Sequence, residues 1–211
     1  MNIRDIRQEY TLGGMDDSHL NENPFTLFDS WFKEAVNSGI NEPSAMALST
    51  VGTDGYPQSR IVLLKGYSEE GFSFFTNYES QKGQALAVNP KASLLFFWPE
   101  LQRQIRITGD VTKTSKEESD EYFQSRPRGS RLGAWTSAQS QVIPSRDLLE
   151  EQYTDFDRKY SAGDIPKPPY WGGYRLKPLT FEFWHGRESR LHDRIYFRQE
   201  DTSWKAARLA P

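Results

Sequence analysis

Between Ala45 and Thr112 the chain offers short β-prone runs separated by turn residues, and few architectures accommodate that pattern. Ala45-Met-Ala-Leu-Ser-Thr-Val51 leads into Gly52-Thr-Asp-Gly55, a hairpin turn by composition, and residues 56–66 run back. Gly71-Phe-Ser-Phe-Phe-Thr76 follows as a third strand, and Ala92-Ser-Leu-Leu-Phe-Phe-Trp98 reads as a buried one. Residues 103–112 alternate cleanly, with Ile105, Ile107 and Gly109 on one face and Gln104, Arg106 and Thr108 on the other. Strand patterns resume at residues 170–176, 179–184, 195–198 and 204–209. The expected fold is β-rich α+β: an antiparallel barrel of about six to eight strands with helices packed around it.

Four helices interrupt or flank these strands. Phe25, Phe28, Trp31, Phe32, Ala35 and Val36 recur at helical spacing between Pro24 and Ser38, with Gly39 as a stop. Ser80–Asn89 reads as a short helix capped by Ser80 or Asn77 and ended by Pro90. Ser115-Lys-Glu-Glu118 matches a capping box and opens a helix to Ser125. Pro144-Ser145 opens another, to about Tyr160, with Leu148, Leu149, Tyr153 and Phe156 as its apolar face. The segment 126–143 receives no element. Ile165-Pro-Lys-Pro-Pro169 is a stiff connector inside one domain. Residues 1–24 are polar and read as a flexible arm, either disordered or draped over something, and residues 25–211 as a single domain.

Composition narrows the function. The net charge of −3 argues against a general nucleic-acid binder. Cysteine is absent, which excludes disulfides and thiolate chemistry and fits a reducing compartment. No apolar signal core or membrane-spanning run is present, so the expectation is a soluble cytoplasmic protein. Metal ligation is not expected, because His185 and His192 have no carboxylate-rich partner at metal spacing. The glycine-rich nucleotide signatures and the Gly-x-Ser-x-Gly of hydrolases are missing.

What remains is anion recognition by scattered side chains. Residues 184–194, Trp-His-Gly-Arg-Glu-Ser-Arg-Leu-His-Asp-Arg, hold two of the three histidines between two strands. Alone, this stretch reads equally as a solvated charged turn. Arg60 and Lys65 bracket Ile-Val-Leu-Leu and project to opposite faces of one strand, as anion ligands or as ordinary snorkelling cations. Lys82 lies near a helix start, where a phosphate would also meet the helix dipole. Tyr122 and Arg126 share a helix face with Ser130 close behind, a set that suits a phosphate monoester or a solvated helix end.

Arg60-Ile-Val-Leu-Leu-Lys65, Gln139-Ser140, Arg190-Leu-His192 within the Trp184–Arg194 stretch, and the terminal Arg208-Leu-Ala-Pro211 together resemble the pyridoxine (pyridoxamine) 5′-phosphate oxidase family. The resemblance extends from Arg7-Gln-Glu-Tyr10 to Pro211. It implies an FMN-binding split β-barrel, antiparallel and Greek-key-like, and a homodimer with FMN at the subunit interface. It implies FMN contacts from Arg60, Ile61, Val62, Leu63, Leu64, Lys65, Phe75, Thr76, Gln81, Lys82, Gln104, Gln139, Ser140, Trp184 and Arg194. The substrate phosphate would meet Lys65, Tyr122, Arg126 and Ser130. Arg190, Leu191 and His192 would lie at the pyridine ring, with Arg190 and His192 as the catalytic pair. Arg7 and Tyr10 match an arm that closes over the site. The implied reaction takes pyridoxine or pyridoxamine 5′-phosphate to pyridoxal 5′-phosphate. Hydride passes from C4′ to flavin N5, and O2 reoxidises the flavin to give H2O2.

Two positions depart from the family pattern. Phe75 stands where tyrosine is frequent, and Gln81 where arginine commonly precedes the lysine. Losing one charged hydrogen bond to phosphate costs ~1.5–3 kcal/mol, which predicts roughly ten- to a hundredfold weaker FMN retention unless another cation fills in. Two other readings compete: a split-barrel flavin reductase or other flavin oxidase, and a non-catalytic carrier of FMN or pyridoxal phosphate. The phosphate set Lys65, Tyr122, Arg126, Ser130 argues against the first, and Arg190-Leu-His192 against the second.

Overall fold

The computed structural model describes residues 2–6 and 9–211. Nine strands form one antiparallel sheet: β1 (Ala45–Val51), β2 (Pro57–Leu63), β3 (Gly66–Ser68), β4 (Gly71–Asn77), β5 (Lys91–Trp98), β6 (Arg103–Lys113), β7 (Trp171–His185), β8 (Asp193–Glu200) and β9 (Ser203–Arg208). The main path runs β2-β1-β5-β6-β7-β4-β3. β7 is where the sheet splits. One edge pairs with β6 along Tyr174–His185; the other pairs with β4 along Trp171–Leu176 and with β8 along Thr180–His185.

That dual pairing explains why residues 170–184 form one strand rather than the two expected around Pro178. Between the partners Thr108 and Gly109 of β6 the register shifts, leaving Leu179 as an extra residue on β7. Proline is tolerated in a sheet at such a bulge, where its missing N–H costs no ladder bond. Gly109 is required opposite it, since a Cβ there would lie 2.0 Å from the Lys177 carbonyl oxygen. The expected run 56–66 also divides, because the chain leaves β2 after Leu63 and starts β3 at Gly66.

The helices are α1 (Pro24–Asn37), α2 (Gln81–Val88), α3 (Lys116–Ser125), α4 (Arg128–Thr136) and α5 (Arg146–Lys159). The aromatic stripe of α1 plugs the barrel: Phe28 meets Phe72 at 4.8 Å and Phe96 at 5.3 Å, and Trp31 meets Phe183 at 5.3 Å. Inward positions Met46, Leu48, Phe74, Leu94, Ile105, Ile107 and Phe181 are fully enclosed. Ser80 caps α2, and Ser115 caps α3 by accepting from the Glu118 N–H at 3.0 Å. The reciprocal half of the capping box is not made, because Glu118 pairs with Arg175 at 2.8 Å.

α4 is the element that the sequence concealed. Its Gly129, Ser130 and Gly133 have poor helix propensity, and packing of Leu132 with Phe123, Ile165 and Trp171 supplies what propensity does not. The described part of the N-terminal arm is draped: Thr11 and Leu12 N–H groups donate to Gln102 Oε1 at 2.9 and 3.1 Å, and Met15 is buried.

Candidate functional site

A cavity of about 700 Å³ opens between β2, the end of β4, α3, α4 and the turn at residues 137–140. Arg60, Ile61, Val62, Leu63 and Lys65 line one wall; Phe75, Thr76, Asn77 and Lys82 line a second. Tyr122, Arg126, Ser130, Gly133, Ala134, Ser137, Gln139, Ser140 and Trp171 complete it. Among the described residues four cations face this space, and no aspartate or glutamate lines it.

The cations fall into two groups. In the first, Lys82 is nine-tenths buried, and its Nζ reaches only neutral oxygens: Thr76 Oγ1 at 3.2 Å, Ser80 Oγ at 3.4 Å and Gln139 Oε1 at 3.0 Å. Burial, with the nearby Arg60 charge, pushes its pKa down to about 8. Arg60 is held by Leu48 O, Thr50 Oγ1 and Gln58, again without a carboxylate. In the second group the Arg126 guanidinium lies 4.7 Å over the Trp171 ring, beside a stack in which Phe75 meets Tyr122 at 4.0 Å. Its Nη1 is buried with no hydrogen-bond partner among the described residues, and burial lowers its pKa. α4 begins beside it at Arg128, after Pro127, which offers no side-chain cap, so the Arg128 and Gly129 N–H groups remain for an anion. Uncompensated buried cations are costly, and a bound anion removes that cost. The donor set therefore fits a ligand with phosphate groups.

The other expected residues gather at the opposite end of β7. Strand register sets Gln104, Trp184 and Arg194 in one row across β6, β7 and β8. Tyr10 stands edge-on to Trp184 at 5.5 Å and to His192 at 5.4 Å, and Trp184 lies 4.7 Å from His192. The Arg187 N–H donates to His192 Nδ1 at 3.1 Å. Burial and then the Arg190 charge hold the His192 pKa below its ordinary value. His192 is thus neutral at neutral pH, with its proton on Nε2. Arg190 and Leu191 are exposed on the turn. Arg194 donates to Glu182 at 2.8 and 3.0 Å and to the Ala210 carbonyl at 2.7 Å.

Two expected contacts fall elsewhere: Leu64 packs in the barrel core, and the Gln81 side chain is exposed outside the cavity lining. The expected contact of Arg7 lies outside the described residues. The structure adds residues that sequence reasoning passed over. Trp171 and Asn77 line the cavity, and Arg187 and Asp193 sit beneath the turn. Trp171 had a signal, the second of two aromatic residues after the proline connector, but nothing in its spacing pointed to Arg126. Among the described residues no helix is long and apolar enough to cross a membrane, and no His, Cys, Asp or Glu group is arranged to hold a metal ion.

Comparison with known proteins bears on the whole chain. A family profile described as pyridoxamine 5′-phosphate oxidase matches residues 32–158. A second, described as the pyridoxine 5′-phosphate oxidase C-terminal dimerisation region, matches residues 171–211. A pyridoxine/pyridoxamine 5′-phosphate oxidase of Paraburkholderia phymatum is 55% identical over 210 residues, and one of Cupriavidus taiwanensis 53% over 210; each alignment covers 99% of both chains. Among solved structures, PhzG from Burkholderia lata in complex with tetrahydrophenazine-1-carboxylic acid is 29% identical with a TM-score of 0.87, covering 93% of this chain and 98% of that one. A pyridoxamine 5′-phosphate oxidase-related FMN-binding protein of Nostoc punctiforme, 19% identical, shares the fold with a TM-score of 0.70 over 90% of this chain and 100% of its own. The fold is a split β-barrel, and the chain belongs to the pyridoxamine 5′-phosphate oxidase family.

Proposed function

We propose that this protein is an FMN-dependent oxidase that converts pyridoxine or pyridoxamine 5′-phosphate to pyridoxal 5′-phosphate in the cytoplasm, with O2 as acceptor. The observation that carries this reading is the pair of uncompensated cationic groups in one acid-free cavity. Arg60 and Lys82, with Gln139, Ser140 and Thr76, would hold the FMN phosphate. Lys65, Tyr122, Arg126, Ser130 and the first turn of α4 would hold the substrate phosphate. Bound FMN would supply the hydride acceptor, with O2 as the final electron acceptor and H2O2 as coproduct.

The catalytic pair would come from a second copy of the chain. Gly173, paired with Phe75, and Trp184 lie eleven residues apart on β7. That is ~36 Å of strand contour at ~3.3 Å per residue. The outer face of the sheet carries exposed Phe97, in register with Gln104, Trp184 and Arg194, and exposed Ile61 two residues off that row, and a homodimer would bury it. Across that interface residues 25–211 of one copy offer the cavity, and the partner offers Arg190 and His192. Neutral His192 would donate a hydrogen bond from Nε2–H to the ring substituent, and Arg190 would stabilise negative charge there. Both orient C4′; neither needs to act as a base, because positioning supplies most of the barrier reduction.

The PhzG likeness supports a related flavin oxidase with a different ring as the second reading. Arg126 and the open start of α4 favour a phosphorylated substrate. The test is an assay of FMN-supplied protein with pyridoxine 5′-phosphate in air. Equal amounts of aldehyde and peroxide are expected; bound flavin with no product would overturn the reading.

A further inference from the structure

We propose that Asp193 is a positioning residue whose carboxylate fixes the N-terminal arm on the β7–β8 turn and so sets Tyr10 against His192. The proposal rests on the reading above, in which that turn belongs to the substrate site.

Asp193 joins three segments that are distant in sequence. Its Oδ2 accepts from the Met15 N–H at 2.9 Å and lies 3.5 Å from Arg187 Nε, while its Oδ1 accepts from Arg208 Nη1 at 2.8 Å. The arm, the turn and the last strand thus meet on one side chain, 14% exposed. Arg208 grips the arm a second time, donating to Asp17 Oδ1 at 2.7 Å and to the Met15 carbonyl at 3.3 Å. A carboxylate so enclosed is stable only while paired, so arm and strand are held together by the same charge.

The fit leaves no slack. A Cβ on Gly14 would lie 2.0 Å from Arg187 Nη1 and 2.5 Å from Asp193 Oδ2. A Cβ on Gly186 would lie 2.6 Å from the Tyr10 ring. The turn itself is not locally comfortable: Ser189 and Arg190 take φ of 55° and 62°, the left-handed region that non-glycine residues avoid. Such a conformation persists when its surroundings impose it. Asp193 is the first residue of β8 and the immediate neighbour of His192, so what it holds in place is the ring that Tyr10 and Trp184 contact.

The experiment compares FMN-loaded wild type and Asp193→Ala by hydrogen–deuterium exchange and by kinetics with pyridoxine 5′-phosphate. Exchange of the Thr11, Leu12 and Met15 amides is expected to accelerate while the β5–β7 ladder is unchanged. The ratio kcat/KM should fall by roughly 10–100-fold, the scale of a small misplacement of reacting groups, with most of the loss in kcat and FMN retention unaltered. Unchanged arm exchange, or unchanged kcat/KM, overturns the proposal. So does faster exchange throughout the sheet, which would mean a merely structural role. If the alanine variant does not fold, Asp193→Asn, which keeps the shape and one acceptor for Met15, is judged by the same criteria. Gly186→Ala displaces Tyr10 without touching the Asp193 bonds and should reproduce the kinetic loss without the faster Met15 exchange; wild-type kinetics there would also overturn the proposal. A wild type that turns over nothing defeats the oxidase reading instead, and the exchange data alone then judge whether Asp193 holds the arm.

Discussion

The cavity near one end of β7 and the turn at the other use cations in opposite ways. At the Trp171 end, Lys82, Arg60 and Arg126 meet neutral oxygens or aromatic faces. At the His185 end, Arg194 and Arg106 share the buried Glu182, and Arg208 and Arg187 share Asp193. The first arrangement stores an electrostatic cost that only an outside anion relieves. The second spends its charge on holding segments together. Pairing state, rather than the number of arginines, separates residues that bind from residues that position.

The comparison breaks if the two ends respond alike to substitution. Lys82→Met should weaken FMN binding by about a hundredfold, the upper range for a charged hydrogen bond to phosphate. The same change should raise the apoprotein Tm, since it removes a buried unpaired charge; each kcal/mol gained is worth about 2–4 °C at this size. Flavin titration and thermal unfolding of one preparation check both.

Glu182→Gln should do the reverse. It leaves two arginines competing for one neutral side chain at a site where the carboxylate is 4% exposed, and should cost about 1–3 kcal/mol of stability. Flavin titration should show a change smaller than that of Lys82→Met. A variant that loses flavin as severely as Lys82→Met while keeping its Tm would erase the distinction.

The pH dependence sharpens the same point. Below about pH 8 Lys82 already carries its proton; above it, the apoprotein must take one up to pair with phosphate. FMN affinity should be flat between about pH 7, where the phosphate is largely dianionic, and about pH 8, and fall by up to about tenfold per unit above that, until the raised pKa of the complex is reached. Titrations at several pH values in Lys82→Met should lack that slope.

The smallest effect concerns Gln81. Its side chain is exposed at the start of α2, outside the cavity lining. Because the nearby Arg60 and Lys82 already supply two cations, Gln81→Arg should strengthen FMN binding by no more than about tenfold, the lower end of the range for a charged hydrogen bond. No gain in a direct titration would mean that the missing cation at this position has been compensated.

Much of the barrel was legible because its code is local. The alternation at Ile105, Ile107 and Gly109 and the stripe Phe28, Trp31, Ala35 each declare a buried face within a few residues. Pro178 misled because a bulge depends on the partner strand, and α4 was invisible because tertiary packing overrides weak propensity. The site divides along the same line. Residue types that bind anions can be listed from the sequence, and motif resemblance gathered most of the cavity lining. Neither reveals whether a cation is paired. Asp193 was quoted within the turn without a role, since Met15 and Arg208 come near it only in the folded chain.

The central claim is that one site is built from the cavity end of one chain and the turn end of another. The direct measurement is the activity of mixed dimers. One chain would carry Lys82→Ala and Arg126→Ala, the other Arg190→Ala and His192→Ala, and each alone should be nearly inactive. If the site is shared, a mixed dimer contains one site with all four residues intact, and random assortment should restore about a quarter of wild-type activity. If each chain builds its own site, every site in the mixture lacks one pair, and activity that stays at the level of the separate variants would contradict the account.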